Sequence, residues 1–353
     1  MHCDGLHVIR VSSDQVVLKR GIVELLLNGP DVASLLERVV ELIRQGRTRD
    51  QIVAAFPGTL GPEIDRLLTD MSQRRLVTTT ADMLAPESSG GELQAAFWWN
   101  FGPAGVNAVS RLRNASVLVV GATVIARSLI QSLLELNVGR VRLVSHPALD
   151  DRLAPIESVA LPLSWEPRVE RVASLPPEEE LREISLICAT SDFGQADALL
   201  EMNRLALRTG RPYLPAWLAN LLGYVGPLNY PHETACLRCY RARTDSNTPD
   251  HAALRAAARY VTDQPDARGS VGFAPPMSAI IGNIMAMEVA KCLGAFAPTD
   301  TAGRVIEINL VSFASVVRRV LKLPRCPDCS EVMRQGSKTM LVGAQIPNSE
   351  AER

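Results

Sequence analysis

The chain of 353 residues has no excess of charge of either sign, since 37 Lys and Arg face 38 Asp and Glu and the formal net charge is −1. This balance argues against a broad nucleic-acid-binding surface. The N-terminus lacks a basic stretch followed by a long apolar one, and no run approaches the ~20 apolar residues of a membrane span. These absences favour a cytoplasmic protein that has neither nucleic acid nor a membrane as partner.

Cysteine is scarce, yet four of the 7 cysteines form two Cys-x-x-Cys pairs, Cys236/Cys239 and Cys326/Cys329. Each pair places two thiolates on one tight turn, which is half of a tetrahedral zinc site. A shared Zn²⁺ would tie the C-terminal part of the chain to its middle. With all four positions filled, this Zn²⁺ would be structural rather than catalytic. Two disulfides or four unrelated thiols are the alternatives.

Residues 1–85 are predicted to form a separate, winged-helix-like α+β domain. Its predicted strands cover residues 7–11, 15–18 and 21–27, its helices residues 33–44, 48–55 and 61–75, and a closing strand residues 76–80. Asp31 and Thr48 are expected to cap the first two helices. Such a module can dock a helix on DNA, but the mixed charge of the third helix fits phosphate binding poorly.

The alternative role for this module is to accept an extended peptide at a strand edge, with specificity from a groove beside the third helix. Arginines at the end of that helix would suit an acidic peptide, although they also fit an ordinary solvated helix end. The predicted peptide-binding residues are Ile22, Val23, Glu24, Leu25, Leu27, Ile64, Leu67, Leu68, Met71, Arg74 and Arg75.

A linker or adaptor with an aromatic cluster is predicted at residues 86–110, a large domain at 111–335 and a flexible tail at 336–353. In the large domain, apolar strands alternate with helix patterns. This alternation predicts a Rossmann-like, doubly wound α/β fold.

The nucleotide-binding signal within that fold is weak. After the strand at residues 115–120, Gly121 is the one glycine of a Gly-x-Gly-x-x-Gly fingerprint, because Thr123 and Ala126 occupy the other two positions. The next strand ends at Ser145, where a ribose-binding acid is expected, and no acid follows until Asp150.

The order of these pieces resembles the ThiF-like superfamily of ubiquitin-activating and carrier-protein-adenylating enzymes. The matching pieces are the Gly121 loop, residues 190–192, 211–212 and 223–227, the two cysteine pairs, and residues 282–294 with Glu288 and Lys291. The resemblance implies structural zinc on the four cysteines. The resemblance also implies that ATP-Mg binds at the glycine loop and at acidic residues further along the chain. Asp192 matches the last of these acids. Arg152 weakly matches the family's arginine, and the crossover loop carries no catalytic cysteine.

A winged-helix-like module joined to a ThiF-like domain resembles the ocin-ThiF-like partner proteins of azole-forming, ribosomal peptide natural-product pathways. That resemblance implies that the module binds the leader of a precursor peptide. A YcaO cyclodehydratase would then use the ATP and form azolines or azoles, and a homodimer is also implied. The sequence therefore indicates a catalytically degenerate scaffold. An active ATP-dependent adenylating enzyme that modifies a peptide carboxylate is the main alternative, and a winged-helix regulator is a third.

Overall fold

The computed structural model describes residues 1–3, 5–56, 58–78, 92–150, 168–194, 197–264 and 272–330. The chain divides into two compact units, Met1–Arg111 and Leu112–Arg353. The predicted tail at residues 336–353 lies outside the described residues.

The N-terminal unit begins with a three-stranded antiparallel sheet in the order β1 (His7–Arg10), β2 (Gln15–Arg20) and β3 (Val23–Asn28). Side chains alternate between the two faces, as the period of a strand requires. The register pairs Leu18 with Leu25 and Val16 with Leu27 on the core side. In the described part of the chain, β3 pairs with β2 alone, which leaves its outer edge unpaired.

Three helices follow, α1 (Val32–Arg44), α2 (Arg49–Ala54) and α3 (Leu60–Gln73). Thr48 caps α2 as expected, through a capping box with Gln51. Asp31 precedes α1 but adopts a left-handed conformation and makes no side-chain cap, because its carboxylate accepts the Ser34 hydroxyl instead.

The core of this unit contains Leu18 from the sheet, Leu36 and Ile43 from α1, and Leu68 and Met71 from α3. The expected closing strand at residues 76–80 is reduced, where described, to one bridge between His2 and Thr78. The chain at Leu76 and Val77 is buried, and its backbone turns directly after α3.

Two further helices, α4 (Glu92–Trp99) and α5 (Pro103–Arg113), come next. The end of α4 and the turn after it contact the last residue of β2 and the turn that follows α3. The guanidinium of Arg20 lies 3.0 Å from the ring centroid of Trp99, and the Trp99 indole donates to the Arg75 carbonyl at 2.7 Å. The Arg75 side chain in turn donates to the Asn100 carbonyl. The aromatic cluster of the predicted adaptor thus packs within its own unit.

The second unit contains eight strands and six helices among its described residues. They are β4 (Ser116–Val120), α6 (Val124–Glu135), β5 (Arg140–Val144), β6 (Val169–Val172), α7 (Glu178–Leu181), β7 (Leu186–Ser191), α8 (Asp197–Thr209), β8 (Tyr213–Ala219), β9 (Leu222–Val225), α9 (Leu237–Ser246), α10 (His251–Asp263), α11 (Pro275–Gly294), β10 (Arg304–Asn309) and β11 (Ser315–Arg319).

These strands form one sheet in the order β11-β10-β9-β8-β7-β4-β5-β6. The strands from β6 to β8 are parallel, whereas β9, β10 and β11 extend the sheet in antiparallel pairs. The chain runs outward from β4 through β5 and β6 and then returns to start β7 on the other side of β4. The mixed, parallel-dominated α/β fold confirms the predicted class, and the switch between β4 and β7 is the usual ligand position in such sheets.

The long helix α11 packs closely on α6. A Cβ at Gly282 would lie 2.6 Å from the Ile125 carbonyl oxygen, so glycine is required for this approach. By length and composition α11 is also apolar enough to cross a membrane, contrary to the expectation from sequence, but 56% of that apolar window is buried inside the protein. This burial is typical of a core helix.

The polar segment at residues 245–270 is mostly helical where described. α9 continues to Ser246 and α10 begins at His251. Asp197 accepts hydrogen bonds from Arg241 of α9 and Arg259 of α10. Burial raises the pKa of Asp197, but the two guanidinium groups lower this pKa by a larger amount, so the net shift is downward. The ion pairs hold both helices to the start of α8.

Candidate functional site

The loop between β4 and α6 is the first candidate site, because it lies at the switch point of the sheet. Gly121 has a φ of 97°, and a Cβ there would lie 2.7 Å from the Thr190 carbonyl oxygen. Both the backbone conformation and the packing therefore require glycine at this position.

Three backbone N–H groups of this loop are already paired with side chains of the protein. The Ala122 N–H donates to Asp150 Oδ1 at 2.7 Å, and the Val124 N–H donates to Asp192 Oδ2 at 2.7 Å. Thr123 caps the helix by accepting from the Ala126 N–H at 2.9 Å. Two carboxylates and one hydroxyl thus occupy the positions at a helix N-terminus to which an anion such as phosphate binds.

The two carboxylates are themselves held in place. The other oxygen of Asp192 accepts from the Ser278 hydroxyl at 2.8 Å, and Asp192 is 1% exposed. Asp150 accepts from the Ser145 hydroxyl and, at 2.8 Å, from the His146 N–H. Thr123 adds a hydroxyl contact of 2.7 Å with Thr190. Three N–H groups of the loop thus have acceptors within the protein, and further hydrogen bonds hold those acceptors in place.

The structure thus brings the predicted residues Gly121 and Asp192 together. The sequence interpretation missed Asp150, because the ribose-binding acid was expected directly after β5, at Ser145. The turn after β5 brings the Asp150 carboxylate back to the Ser145 hydroxyl. Asp is common in turns of many kinds, so its presence at position 150 did not indicate this role. Arg152, the weak match to the family's arginine, lies outside the described residues.

The four cysteines of the two pairs form the second candidate site. All four are buried, their sulfurs lie within 4.8 Å of one another, and none is in a disulfide. The Cys236–Cys239, Cys236–Cys326 and Cys239–Cys329 sulfurs are 3.9, 3.8 and 3.5 Å apart. Four sulfurs at about 2.3 Å from a tetrahedral Zn²⁺ are separated by about 3.8 Å. The donor set and its spacing therefore fit a metal site with four thiolates.

The surroundings of the cluster favour thiolates at two of its positions. Hydrogen bonding among the four thiols lowers the pKa of Cys239 and of Cys326 and raises the pKa of Cys236 and of Cys329. The Leu323 N–H also donates to the Cys239 sulfur at 3.4 Å. Since the thiolate is the form that binds metal, these contacts suit the cluster to a cation.

The predicted peptide-binding residues lie along β3 and α3, with different exposure. Val23, Leu25, Leu27 and Leu67 are half-buried at the border of the core. Ile22 lies in the turn before β3 and is 81% exposed. Glu24 is exposed and forms an ion pair with Lys19. The three remaining predicted residues on α3 are fully buried in the core, namely Ile64, Leu68 and Met71.

The two arginines after α3 have different environments. Arg74 is exposed and pairs with Asp70 at 2.8 Å. Arg75 has a left-handed backbone with a φ of 61°, and its side chain contacts the Asn100 carbonyl within the same unit. Arg74 is therefore held by an ion pair at the end of its own helix, whereas Arg75 is held by a backbone carbonyl of the turn after α4.

Comparison with known families gives a match between residues 155–331 and the ThiF family. The chain belongs to the ThiF family. This match covers the second candidate site and the Asp192 side of the first, and it agrees with the resemblance found in the sequence. No curated protein matches the chain.

Solved structures with the same fold include two of MccB, of which the one with ATP is from Escherichia coli, and one of TruD. MccB, a microcin C7 biosynthetic enzyme in complex with N-formylated MccA, has a TM-score of 0.64 at 13% identity, over 94% of this chain and 99% of that one. MccB with ATP has a TM-score of 0.63 at 14% identity, over the same shares. The heterocyclase TruD has a TM-score of 0.61 at 21% identity, over 94% of this chain but 42% of TruD.

If the Gly121 loop is a structural network, removing its buried carboxylate destabilises the fold. We expect Asp192→Ala to lower the free energy of unfolding by about 1–3 kcal/mol, because it deprives the buried Val124 N–H and Ser278 hydroxyl of their acceptor. Urea-induced unfolding measures this change.

Asp192→Asn is the matched control, because its amide can still accept from Val124 and donate to Ser278. This variant should lose clearly less stability than Asp192→Ala. An alanine variant as stable as the wild type would contradict the structural role and would suit a carboxylate kept for catalysis.

Proposed function

We propose that this protein binds the leader peptide of a ribosomally synthesised precursor and presents it to a YcaO cyclodehydratase for azoline and azole formation. Its own ThiF-like unit acts as a scaffold without catalysis. The observation that carries the proposal is the occupied loop at Gly121, where Asp150 and Asp192 accept from the Ala122 and Val124 N–H groups, which a nucleotide phosphate would otherwise use.

The loop argues against ATP on electrostatic grounds. A phosphate at this position would have to displace two charge-assisted hydrogen bonds of 2.7 Å. It would then lie beside the two displaced carboxylates, and like charges repel strongly at a buried site. The buried Thr123 side chain also stands where the fingerprint has its second glycine, the residue that lets the backbone approach a phosphate closely.

The edge of β3 supports peptide binding. Its unpaired N–H and C=O groups can hold an extended peptide as a fourth strand of the sheet. Val23, Leu25, Leu27 and Leu67 supply a half-buried apolar border, and Arg74 supplies a positive charge for an acidic leader. The winged-helix-like module would thus recognise the peptide mainly through its backbone.

The remaining parts of the proposal follow from the resemblance to ocin-ThiF-like proteins. The catalytic partner would be a YcaO protein that hydrolyses ATP itself, the complex would be cytoplasmic, and the ThiF-like units would pair as a homodimer. The similarity in fold to the heterocyclase TruD and to MccB in complex with MccA is consistent with a peptide as the ligand of this protein.

An active adenylating enzyme is the second candidate function. The buried Asp192 at the switch point and the fold shared with MccB, which is known in complex with ATP, favour it. In that case Asp150 and Asp192 would hold a Mg²⁺ ion, which would offset the negative charge of the phosphates.

Calorimetric titration of the purified protein separates the two functions. We expect saturable binding of the leader half of a precursor peptide encoded near the gene, and no binding of ATP-Mg. Saturable ATP binding, lost in Asp192→Asn, would instead support the adenylating enzyme. If neither ligand binds, the proposed function is wrong.

The strand face can be tested with two leucines that are neighbours in sequence. Leu25→Ala should weaken leader binding by about tenfold, since it removes apolar surface from the groove. Leu26→Ala changes the opposite face of the same strand, where Leu26 is 52% exposed, and should leave the affinity unchanged.

Both affinities are measured by calorimetry at a temperature where circular dichroism shows that each variant is folded. Equal affinities of Leu25→Ala and wild type would remove this face from the binding site. Equal losses in both leucine variants would point to a general effect on the sheet.

We further propose that the four-cysteine site holds structural Zn²⁺ through Cys236, Cys239, Cys326 and Cys329. The ion would neutralise buried thiolates and close a long loop of chain, which reduces the entropy of the unfolded state. With four protein ligands no coordination position is open for a substrate.

Removal of one ligand should therefore reduce metal content and stability together. Cys329→Ser should lose most of the bound zinc and lower the melting temperature by about 10 °C or more, which corresponds to about 4 kcal/mol in a unit of this size. Metal content is measured by atomic emission, and unfolding by calorimetry.

Cys292→Ser is the matched control, because Cys292 lies outside the cluster and serine can still accept the hydrogen bond from Tyr230. This variant should retain one zinc per chain. If Cys329→Ser also retains one zinc and melts normally, the assignment is wrong.

A further inference from the structure

A polar side chain lies in the core next to the four-cysteine cluster. Asn203 is on α8, is 0% exposed, and its neighbours on the helix, such as Met202 and Leu205, are buried apolar residues. Burying an amide is unfavourable unless both its oxygen and its nitrogen are hydrogen-bonded. Its partners therefore explain why an amide is needed there.

Asn203 bonds to both cysteine turns. Its Oδ1 accepts from the Leu237 N–H at 3.1 Å, immediately after Cys236, and its Nδ2 donates to Asp328 Oδ2 at 3.2 Å, between Cys326 and Cys329. These partners are 34 and 125 residues away in the sequence. One side chain thus links the two turns by hydrogen bonds, in addition to the contacts between their sulfurs and the hydrogen bond from the Leu323 N–H.

The chemistry of the partners fixes the orientation of the amide. A backbone N–H can only donate and a carboxylate can only accept, so the oxygen must face Leu237 and the nitrogen Asp328. The other oxygen of Asp328 accepts from Arg204 Nε at 3.2 Å, and the Asp328 side chain is 5% exposed. Two consecutive residues of α8 therefore hold the carboxylate in the second turn from both sides.

We propose that Asn203 is a positioning residue of the metal site, which holds the two Cys-x-x-Cys turns at the separation that a tetrahedral ion requires. This inference rests on the proposed zinc site. An asparagine can accept from one turn and donate to the other at the same time. A leucine does neither, and an aspartate would place a second carboxylate against Asp328. Residues that orient metal ligands in this way typically change metal affinity by 10–100-fold.

The test uses the full-length chain with Asn203→Asp and Asn203→Leu. The release of Zn²⁺ to a chromophoric chelator is followed under conditions where circular dichroism shows folded protein. The Co²⁺-substituted proteins give the d–d and thiolate charge-transfer bands that report tetrahedral geometry. We expect both variants to release zinc 10–100-fold faster and to show altered Co²⁺ bands.

Thr209→Val is the matched control on the same helix. It removes a buried hydroxyl whose hydrogen bonds go to the Leu205 and Ala206 carbonyls and not to the cysteine turns. Its zinc release and Co²⁺ spectrum should match those of the wild type. If Asn203→Leu does not fold, the comparison of Asn203→Asp with Thr209→Val decides.

Three results would overturn the inference. The last of them would show that the proposed zinc site, and not only the role of Asn203, is wrong. Zinc release at the wild-type rate from Asn203→Asp would show that the amide does not position the ligands. Equal acceleration in Asn203→Asp and Thr209→Val would reveal a general loss of stability. Wild-type protein that contains no zinc and gives no thiolate bands with Co²⁺ would show that the zinc site itself is wrong.

Discussion

The ThiF-like unit depends on how the buried backbone at the start of α6 satisfies its hydrogen bonds. N–H groups at a helix N-terminus have no partner within the helix, and burial makes an unpaired one costly. Here Asp150, Asp192 and Thr123 supply the acceptors. The acceptors come from the residue after β7, from the turn after β5 and from the loop itself, so this requirement joins the central strands at their carboxyl ends. These three N–H groups need no ligand as acceptor.

The second long-range constraint acts on the antiparallel half of the sheet. β10 and β11 lie in sequence between the two cysteine pairs, together with α10 and α11. Bringing the pairs together closes this whole segment into a loop, which is entropically costly in an open chain. Hydrogen bonds through Asn203 and Asp328 contribute to that closure from α8. The cluster thereby links the antiparallel strands to the helical layer on the parallel part.

Elements with clear periodicity were predictable from sequence, whereas contacts that depend on distant turns were not. The apolar run of β4 and the glycine at Gly121 indicated the switch point, and the spacing of the cysteines indicated their cluster. Asp150 could not be assigned, because its role depends on the turn that brings it back to Ala122. Asn203 resembled any polar helix residue, and Arg75 resembled a solvated cation until its left-handed backbone directed it to Asn100.

The two parts of the proposed function, peptide binding and a scaffold without catalysis, place their constraints on separate units. This separation suggests how a ThiF-like domain could be retained without catalysis. Peptide addition at β3 uses main-chain groups and the half-buried Leu25 and Leu27, which belong to the core of the N-terminal unit. Under the proposed function, Asp150 and Asp192 take the place of a phosphate in the second unit alone, so that the loop is stabilised by the chain and not by a ligand. A scaffold that delivers a peptide requires a rigid fold at all times, whether or not a nucleotide is bound. Under the proposed function, the closed loop therefore stabilises the very state that the scaffold needs.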